Sequence, residues 1–170
     1  LLARADVLVE NYKVGGLARH GLDYPSLRQR YPGLVYCSVT GFGQTGPYAR
    51  RAGSDFLTQG MGGTVSLPGD PDGPPMKVGA GIADVMTGMY AAVGILAALR
   101  HRDATGEGQQ IDISLLDSQI AWLVNAGTNY LASAEVPKRL ANRHPNIVPY
   151  QVFETADGGS LPTATSTSDS

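Results

Sequence analysis

The sequence is poor in the residues that build disulfides and metal sites. Its 170 residues include one cysteine, Cys37, and three histidines. A single cysteine forms no internal disulfide, and Cys37 lies in the strand-like stretch GLVYCSVTGF, which predicts a buried packing role. His20, His101 and His144 have neither the paired spacing nor the nearby carboxylates of a metal site. We therefore expect no bound metal.

The sequence also lacks a large excess of charge of either sign. Thirteen Lys and Arg residues against fifteen Asp and Glu residues give a net charge of −2, which provides no general attraction for nucleic acid or membrane. There is no signal peptide pattern, and the apolar run after Asp84 is interrupted by Thr87 and by glycines. The absence of a G-x-S-x-G motif leaves a serine hydrolase without support. These features predict a soluble cytoplasmic protein with neither a nucleic acid nor a membrane partner.

The residue patterns in the first half predict an α/β fold. Residues 6–9 and 34–41 are apolar and β-branched enough to form two strands, and two short helical segments lie between them. Such a unit is expected to be right-handed, with parallel strands. From Gly41 to Gly81 glycine and proline recur, which predicts a loop region carrying one short helix near residues 55–61.

The second half is dominated by helical patterns. We predict a helix over residues 85–101 crowded with small side chains, a strand in QQIDIS, and one further helix over residues 116–134. The chain opens on Leu1 in mid-pattern and closes on a Ser/Thr-rich stretch, so we expect a piece of a longer protein. The predicted organisation is a partial large domain over residues 1–158 and a disordered tail over residues 159–170.

The stretch GFGQTG, residues 41–46, matches the G-x-G-x-x-G pattern and follows a predicted strand. A dinucleotide-binding loop should open directly into a helix and meet an acid about twenty residues later. Here Pro47 and Tyr48 follow instead, and Asp70 and Asp72 lie in a Pro/Gly-rich loop. We expect a glycine loop that lets a ligand approach the backbone, without a bound nicotinamide or flavin.

Asp84 is the acid that demands an explanation, because it opens a long run of small and apolar residues. One interpretation is a helix N-cap, a position at which Asp is among the preferred residues. The other is a nucleophile, since a carboxylate held ionised at a helix start needs no neighbouring base to attack an activated acyl group. The two roles are compatible on spacing alone.

Several ordered motifs resemble one known family. They are VENYKVGGLARHGLDYPSL, YCSVTGFGQTGPYARRAGSDFLTQGMGG, GIADVMTGMYAAVGILAALRHRDATGEGQQIDISLLDSQI and NIVPYQVFETADG. Together they resemble the class III CoA-transferases, the group of formyl-CoA transferase and the carnitine and bile-acid CoA-transferases, over about residues 3–158. The resemblance implies a Rossmann-like parallel α/β region followed by helices, part of a fold in which two subunits of a homodimer interlock. It also implies coenzyme A thioester as co-substrate, with no permanently bound cofactor.

The resemblance also implies roles for individual residues. The acid of the ADxxTG segment is the family's nucleophile, which assigns that role to Asp84. Contacts to coenzyme A carry over to Asn11, Tyr12 and Lys13 of ENY-K and to Arg19, although ordinary solvated charge is the alternative for Lys13 and Arg19. The RAGSD loop carries over as a contact to the pantetheine and acyl end, through the residues Ala52, Gly53, Ser54 and Asp55.

The implied reaction transfers CoA from an acyl-CoA donor to a carboxylic acid acceptor through an aspartyl-acyl mixed anhydride. Related racemases of 2-methylacyl-CoA use a histidine where this chain has Ser54, so a racemase would lack one of its two proton carriers. Racemase activity therefore remains the alternative within the family. A truncated, non-catalytic fragment is the alternative outside it.

Overall fold

The computed structural model describes residues 1–164, the last two by their backbone alone. Although the sequence predicts one domain over residues 1–158, the chain forms two compact units. The first contains residues 1–62 and 79–122, and the second contains residues 63–78 and those from 123 onward. The chain thus leaves the first unit twice, after Gly62 and again after Trp122.

A parallel three-stranded sheet is the centre of the first unit. Strands β1 (Val7–Glu10), β2 (Val35–Thr40) and β3 (Gln110–Ser114) lie in that order, and both strand pairs are parallel. Parallel neighbours require crossover connections, and helices supply them here. The predicted Rossmann-like α/β region is therefore confirmed.

Four helices surround this sheet in chain order: α1 (Tyr24–Arg30), α2 (Asp55–Met61), α3 (Ile82–Thr105) and α4 (Leu115–Ala121). Short 3₁₀ turns occur at Leu2–Arg4 and Ala18–His20. Helix α2 has the predicted boundaries. Helix α3 begins three residues earlier and ends four residues later than predicted, and Gly106 in the left-handed conformation ends it.

One face of the sheet packs on α1 through a cluster of Leu27, Leu34 and Tyr36. The Tyr36 hydroxyl donates a hydrogen bond to the Leu22 carbonyl at 3.0 Å. Burial, followed by the negative charges of Glu10 and Asp23, raises the pKa of Tyr36 to about 12. The phenol therefore stays a protonated donor at neutral pH.

The other face of the sheet carries α3. Small residues permit the close approach, since a Cβ added at Gly94 would lie 3.1 Å from the Ile111 side chain. Cys37 shares that face with its register partner Ile111 and is 0% exposed, which confirms its predicted packing role. Within residues 1–164, α3 is also the one helix whose length and composition would suffice to span a membrane. It contacts β2, β3 and α4 of the first unit.

The predicted helix over residues 116–134 is wrong as a single element. Helix α4 ends at Ala121, and a new helix α5 (Val124–Ser133) begins in the second unit. Val124 has a φ of 44°, a conformation that a β-branched residue adopts only under constraint, so the chain turns between two helices. The apolar stripe is continuous in the sequence because the spacing of apolar residues does not reveal a single left-handed residue.

The second unit also contains a two-stranded antiparallel hairpin. Strand β4 (Tyr150–Glu154) pairs with β5 (Ser160–Ala164) across the turn that Gly158 permits. The prediction of disorder from residue 159 onward is therefore wrong for Ser160–Ala164. Its last part, residues 165–170, lies outside the described residues. Ser and Thr fit an exposed hairpin as well as a disordered tail, so composition alone could not distinguish the two.

Candidate active site

A cleft of about 510 Å³ opens at the carboxyl edge of the parallel sheet. Its floor comes from the chain just beyond the strands: residues 11–14 follow β1, residues 39–41 end and follow β2, and Leu115 follows β3. Open parallel sheets bind ligands at this edge, because the connecting loops diverge there. The volume is in the usual range for small-molecule sites.

The walls of the cleft come from the starts of α2 and α3 and from the loop before α2. Gly41 and Gly53 hold that loop against the end of β2. A Cβ at Gly41 would lie 2.4 Å from the Gly53 Cα, and one at Gly53 would lie 2.3 Å from the Gly41 Cα. The two backbones touch, so neither position accepts a side chain without displacing the loop.

Asp84 lines the cleft with an exposed side chain. Gly81 is the N-cap of α3 and Asp84 is the third helical residue, so the N-cap interpretation is wrong. Desolvation, followed by the negative charge of Asp55, raises the pKa of Asp84 above its ordinary value. This direction is opposite to the one expected from the helix start. It makes the ionised carboxylate a stronger base and a stronger nucleophile.

Asp55 lies beside Asp84 and is itself engaged by two protein donors. Its Oδ1 accepts the backbone N–H of Ala83 at 2.8 Å, and its Oδ2 accepts the side-chain amide of Gln59 at 2.7 Å. Ser54, the preceding residue, is the N-cap of α2 and accepts the Leu57 N–H at 3.4 Å. Ser54, for which the resemblance implies a histidine in the racemases, is therefore a helix cap in this chain.

Two cations, Lys13 and Arg51, line the same cleft as Asp84. The Arg51 Cζ lies 4.3 Å from the Tyr48 ring centroid, and Tyr48 packs edge-on against Phe42 at 5.6 Å. Within residues 1–164, no carboxylate forms a salt bridge with Arg51. Sequence reasoning missed Arg51 as a site residue, although it directly precedes the AGSD segment.

Thr40 was also missed. It is the last residue of the central strand and lines the cleft, and its buried hydroxyl has no hydrogen-bond partner among residues 1–164. The signal was available, because the carboxyl end of a central parallel strand is where such folds bind ligands.

The structure brings together eight of the nine predicted site residues around one cleft. Arg19 is the exception. It lies in the exposed turn Ala18–His20, outside the cleft, and its Nε donates to His20 Nε2 at 3.0 Å. Of the loop GFGQTG, only Gly41 lines the cleft, while the Gln44 N–H donates to Asp112 on β3 at 2.9 Å. Among the described residues, no three His, Cys, Asp or Glu side chains are grouped as metal ligands would be.

Comparison with known proteins agrees with the geometry. Residues 1–169 match the model of a family described as CoA-transferase family III. The chain belongs to this family. It is 57% identical to succinate–glutarate CoA-transferase of Agrobacterium fabrum over 93% of this chain and 40% of that protein. It is 44% identical to succinyl-CoA:glutarate CoA-transferase of Mus musculus over 93% of this chain and 36% of that protein.

A solved structure supports the same fold. The crystal structure of a CAIB/BAIF family protein from Brucella suis superimposes with a TM-score of 0.85 at 54% identity, over 92% of this chain and 42% of that one. The chain therefore spans about two fifths of the length of the relatives it matches.

Proposed function

We propose that the full-length protein transfers coenzyme A from an acyl-CoA donor to a carboxylic acid acceptor, with Asp84 as the nucleophile. The observation that carries the proposal is that Asp84 opens into a cleft at the carboxyl edge of the sheet in a CoA-transferase family III chain. The raised pKa of Asp84 supports the nucleophilic role. The helix-capping role of Ser54 favours transfer over racemisation, because a racemase needs a second proton carrier there.

The reaction proceeds through a covalent intermediate. A carboxylate oxygen of Asp84 attacks the thioester carbonyl carbon, the carbon–sulfur bond breaks, and the thiolate of coenzyme A departs with the electron pair. The acyl group is then a mixed anhydride on Asp84. Because a thiol has a reference pKa of about 8.5 and a carboxylic acid one near 4, this step is uphill unless the cleft stabilises the thiolate. Lys13 is a cation of the cleft suited to that stabilisation.

The substrates that fit best are short dicarboxylic acids. Relatives named for succinate, glutarate and mesaconate support this class. Arg51 supports it independently, because the Tyr48 ring stacks on its guanidinium and no salt bridge within residues 1–164 neutralises it. A guanidinium binds a carboxylate through two parallel hydrogen bonds, which suits the carboxylate that does not react.

Coenzyme A contacts are proposed for the residues that follow β1 and for the loop before α2. These are Asn11, Tyr12, Lys13, Ala52, Gly53, Ser54 and Asp55, which all line the cleft. Arg19 is proposed to contact the phosphate end outside the cleft. The full-length protein is proposed to be an interlocked homodimer, and the exposed apolar residues of α3 support this.

The decisive experiment uses full-length protein with succinyl-CoA and glutarate. We expect glutaryl-CoA to form and hydroxylamine to trap an adduct on Asp84, whereas Asp84→Asn should lose at least about 10⁴-fold in turnover. Arg51→Met should raise the KM for glutarate by about tenfold or more and leave the KM for a monocarboxylic acid nearly unchanged.

Three results would contradict the proposal. Unmodified Asp84 after turnover would remove the nucleophile. Exchange of an α-proton of an acyl-CoA with deuterated water, without CoA transfer, would indicate racemisation. Equal effects of Arg51→Met on mono- and dicarboxylic acids would remove the assigned role of Arg51.

A further inference from the structure

A buried hydrogen-bonded path leads from the interior of α2 to the start of α3. Gln59 is 0% exposed and donates its side-chain amide to Asp55 Oδ2 at 2.7 Å. Asp55 Oδ1 then accepts the backbone N–H of Ala83 at 2.8 Å. Ala83 directly precedes Asp84, so this path ends one residue from the reactive carboxylate.

Helix α3 depends on Asp55 because its own N-cap has no side chain. Gly81 makes no side-chain cap hydrogen bond. The Ile82 N–H donates to the Ala80 carbonyl at 2.8 Å, so Ala83 is the first helical residue whose N–H needs an acceptor from elsewhere. An N-cap side chain normally accepts the N–H of the second or third helical residue, and Ala83 is the second. Asp55 performs this function from another helix, 28 residues earlier in the chain than Ala83. The orientation of the first turn of α3 is therefore tied to α2.

Asp55 also provides a fixed negative charge next to Asp84. The side-chain amide of Gln59 holds the Asp55 carboxylate in place. Like charge disfavours a second ionised carboxylate nearby, and Asp55 is the charged group that raises the pKa of Asp84. The other charged or titratable groups that line the cleft are Tyr12, Lys13 and Arg51.

We propose that Asp55, held by Gln59, is the positioning residue of the reactive aspartate: it caps α3 from outside and fixes the direction and charge environment of Asp84. This inference rests on the proposed function. It gives Asp55 a role through Asp84, in addition to any contact with the acyl end. Gln59 acts one step further away and touches no ligand, because it lies outside the cleft lining.

The test measures the single-turnover acylation of Asp84 in full-length protein against pH. For Asp55→Asn we expect the plateau rate to fall by about 100-fold, the size of effect produced by misplacing a reacting group by about 1 Å. Loss of the neighbouring charge lowers the pKa of Asp84, so the acid limb of the rate profile should move to lower pH. Because Asp55 also lines the cleft, the Kd for acyl-CoA is measured alongside, and the fall in plateau rate should be much larger than any change in Kd.

Gln59→Met should shift the profile in the same direction with a smaller loss of rate, about tenfold. It keeps the volume of the side chain and removes the donor that fixes Asp55. Two variants serve as controls: Asp117→Asn makes the same chemical change in the first turn of α4, and Thr58→Val removes a buried hydrogen bond of α2 without touching the Asp55 carboxylate. Both should keep the wild-type pH profile, although Thr58→Val should melt at a lower temperature.

An unchanged rate and acid limb in Asp55→Asn would overturn the inference, as would an equal shift in Thr58→Val. If Asp55→Asn does not fold, Gln59→Met decides by the same criterion. Failure of the proposed function is distinguishable, because the wild-type protein would then form no Asp84 adduct. In that event the carboxyl ¹³C shift of Asp84 against pH, which needs no turnover, still measures the effect of Asp55, and identical titration in wild type and Asp55→Asn would refute the inference.

Discussion

At the scale of single residues, the fold makes Asp84 more costly to ionise than an isolated aspartate. The pKa of Asp84 is raised in the folded state, so ionising this group lowers the free energy of unfolding. The loss begins above the ordinary Asp pKa and is complete once the pH exceeds the raised pKa of the folded state. Asp84→Asn should therefore raise the melting temperature at pH 7, by about 1–3 °C once solvent screening of an exposed group is allowed for. The gain should shrink as the pH falls through the ordinary Asp range near 4.

Thermal melts of the full-length protein between pH 3 and pH 8 check this expectation. Asp117→Asn is the matched control, because Asp117 is also an exposed acid in the first turn of a helix. A lower melting temperature for Asp84→Asn at pH 7 would show that the ionised carboxylate stabilises the fold, which is the reverse of the effect expected from its raised pKa.

Asp84 could be singled out as a site residue from the sequence, whereas the cap of its helix could not be predicted. The ADVMTG segment carries the resemblance, so the residue could be singled out directly. The cap of its helix comes from Asp55 in another helix, and no local pattern encodes a contact between residues so far apart in the chain. Thr40 and Arg51 were missed although local signals existed, because Thr40 lies at the end of a predicted strand and Arg51 directly precedes the AGSD segment.

At the scale of elements, α3 and α5 both end on a residue in the left-handed conformation, and exchanging glycine and alanine at these two positions should have opposite effects on stability. Gly106 ends α3 with φ of 80° and open space around a Cβ, whereas Ala134 ends α5 with φ of 59°. Glycine adopts this conformation without the strain that a Cβ adds. Gly106→Ala should therefore lower the free energy of unfolding by about 1 kcal/mol, and Ala134→Gly should raise it by about 0.5–1 kcal/mol.

Urea unfolding of the full-length protein measures both changes, and their opposite signs make each variant a control for the other. Destabilisation by both variants would contradict the left-handed conformation of Ala134. Stabilisation by Gly106→Ala would contradict that of Gly106.

Strands and helices with a clear chemical boundary were predicted well. Ser54 and Asp55 mark the start of α2, and the β-branched run marks β2, so both elements lie where expected. The error over residues 116–134 arose near Val124, where the sequence gives no sign of the left-handed backbone conformation that separates the two helices. The hairpin of β4 and β5 was missed because its second strand is rich in Ser and Thr and is recognisable only from its pairing with β4.

At the scale of the whole molecule, the parallel sheet and its cleft followed from the order of strand, helix and strand. Right-handed crossovers leave one arrangement for such a pattern, and the carboxyl edge is then the ligand edge. The division into two compact units could not be predicted, because the chain leaves the first unit after Gly62 and after Trp122 and no local sequence pattern marks either point. The matched relatives are about two and a half times as long as this chain, so further segments of the full-length protein are expected to contribute to the assembly.

The exposed face of α3 makes the proposed homodimer testable. Val85, Met89, Val93 and Leu96 follow one another at helical spacing and are 56%, 58%, 64% and 66% exposed. Exposed apolar stripes of this kind mark surfaces that another chain or segment covers. If a second copy covers this one, the double variant Val93→Glu and Leu96→Glu should weaken dimerisation of the full-length protein at least about 100-fold, because unpaired charges would be buried at the interface.

Sedimentation of the full-length protein across a concentration series measures this dissociation. Gln29→Glu adds a charge to the exposed surface of α1 away from the stripe and should leave the dimer intact. A wild-type protein that is monomeric at all concentrations would refute the homodimer. A double variant that still dimerises but melts at a much lower temperature would mean that a segment of the same chain covers α3, because the charges would then destabilise the subunit and leave its pairing intact.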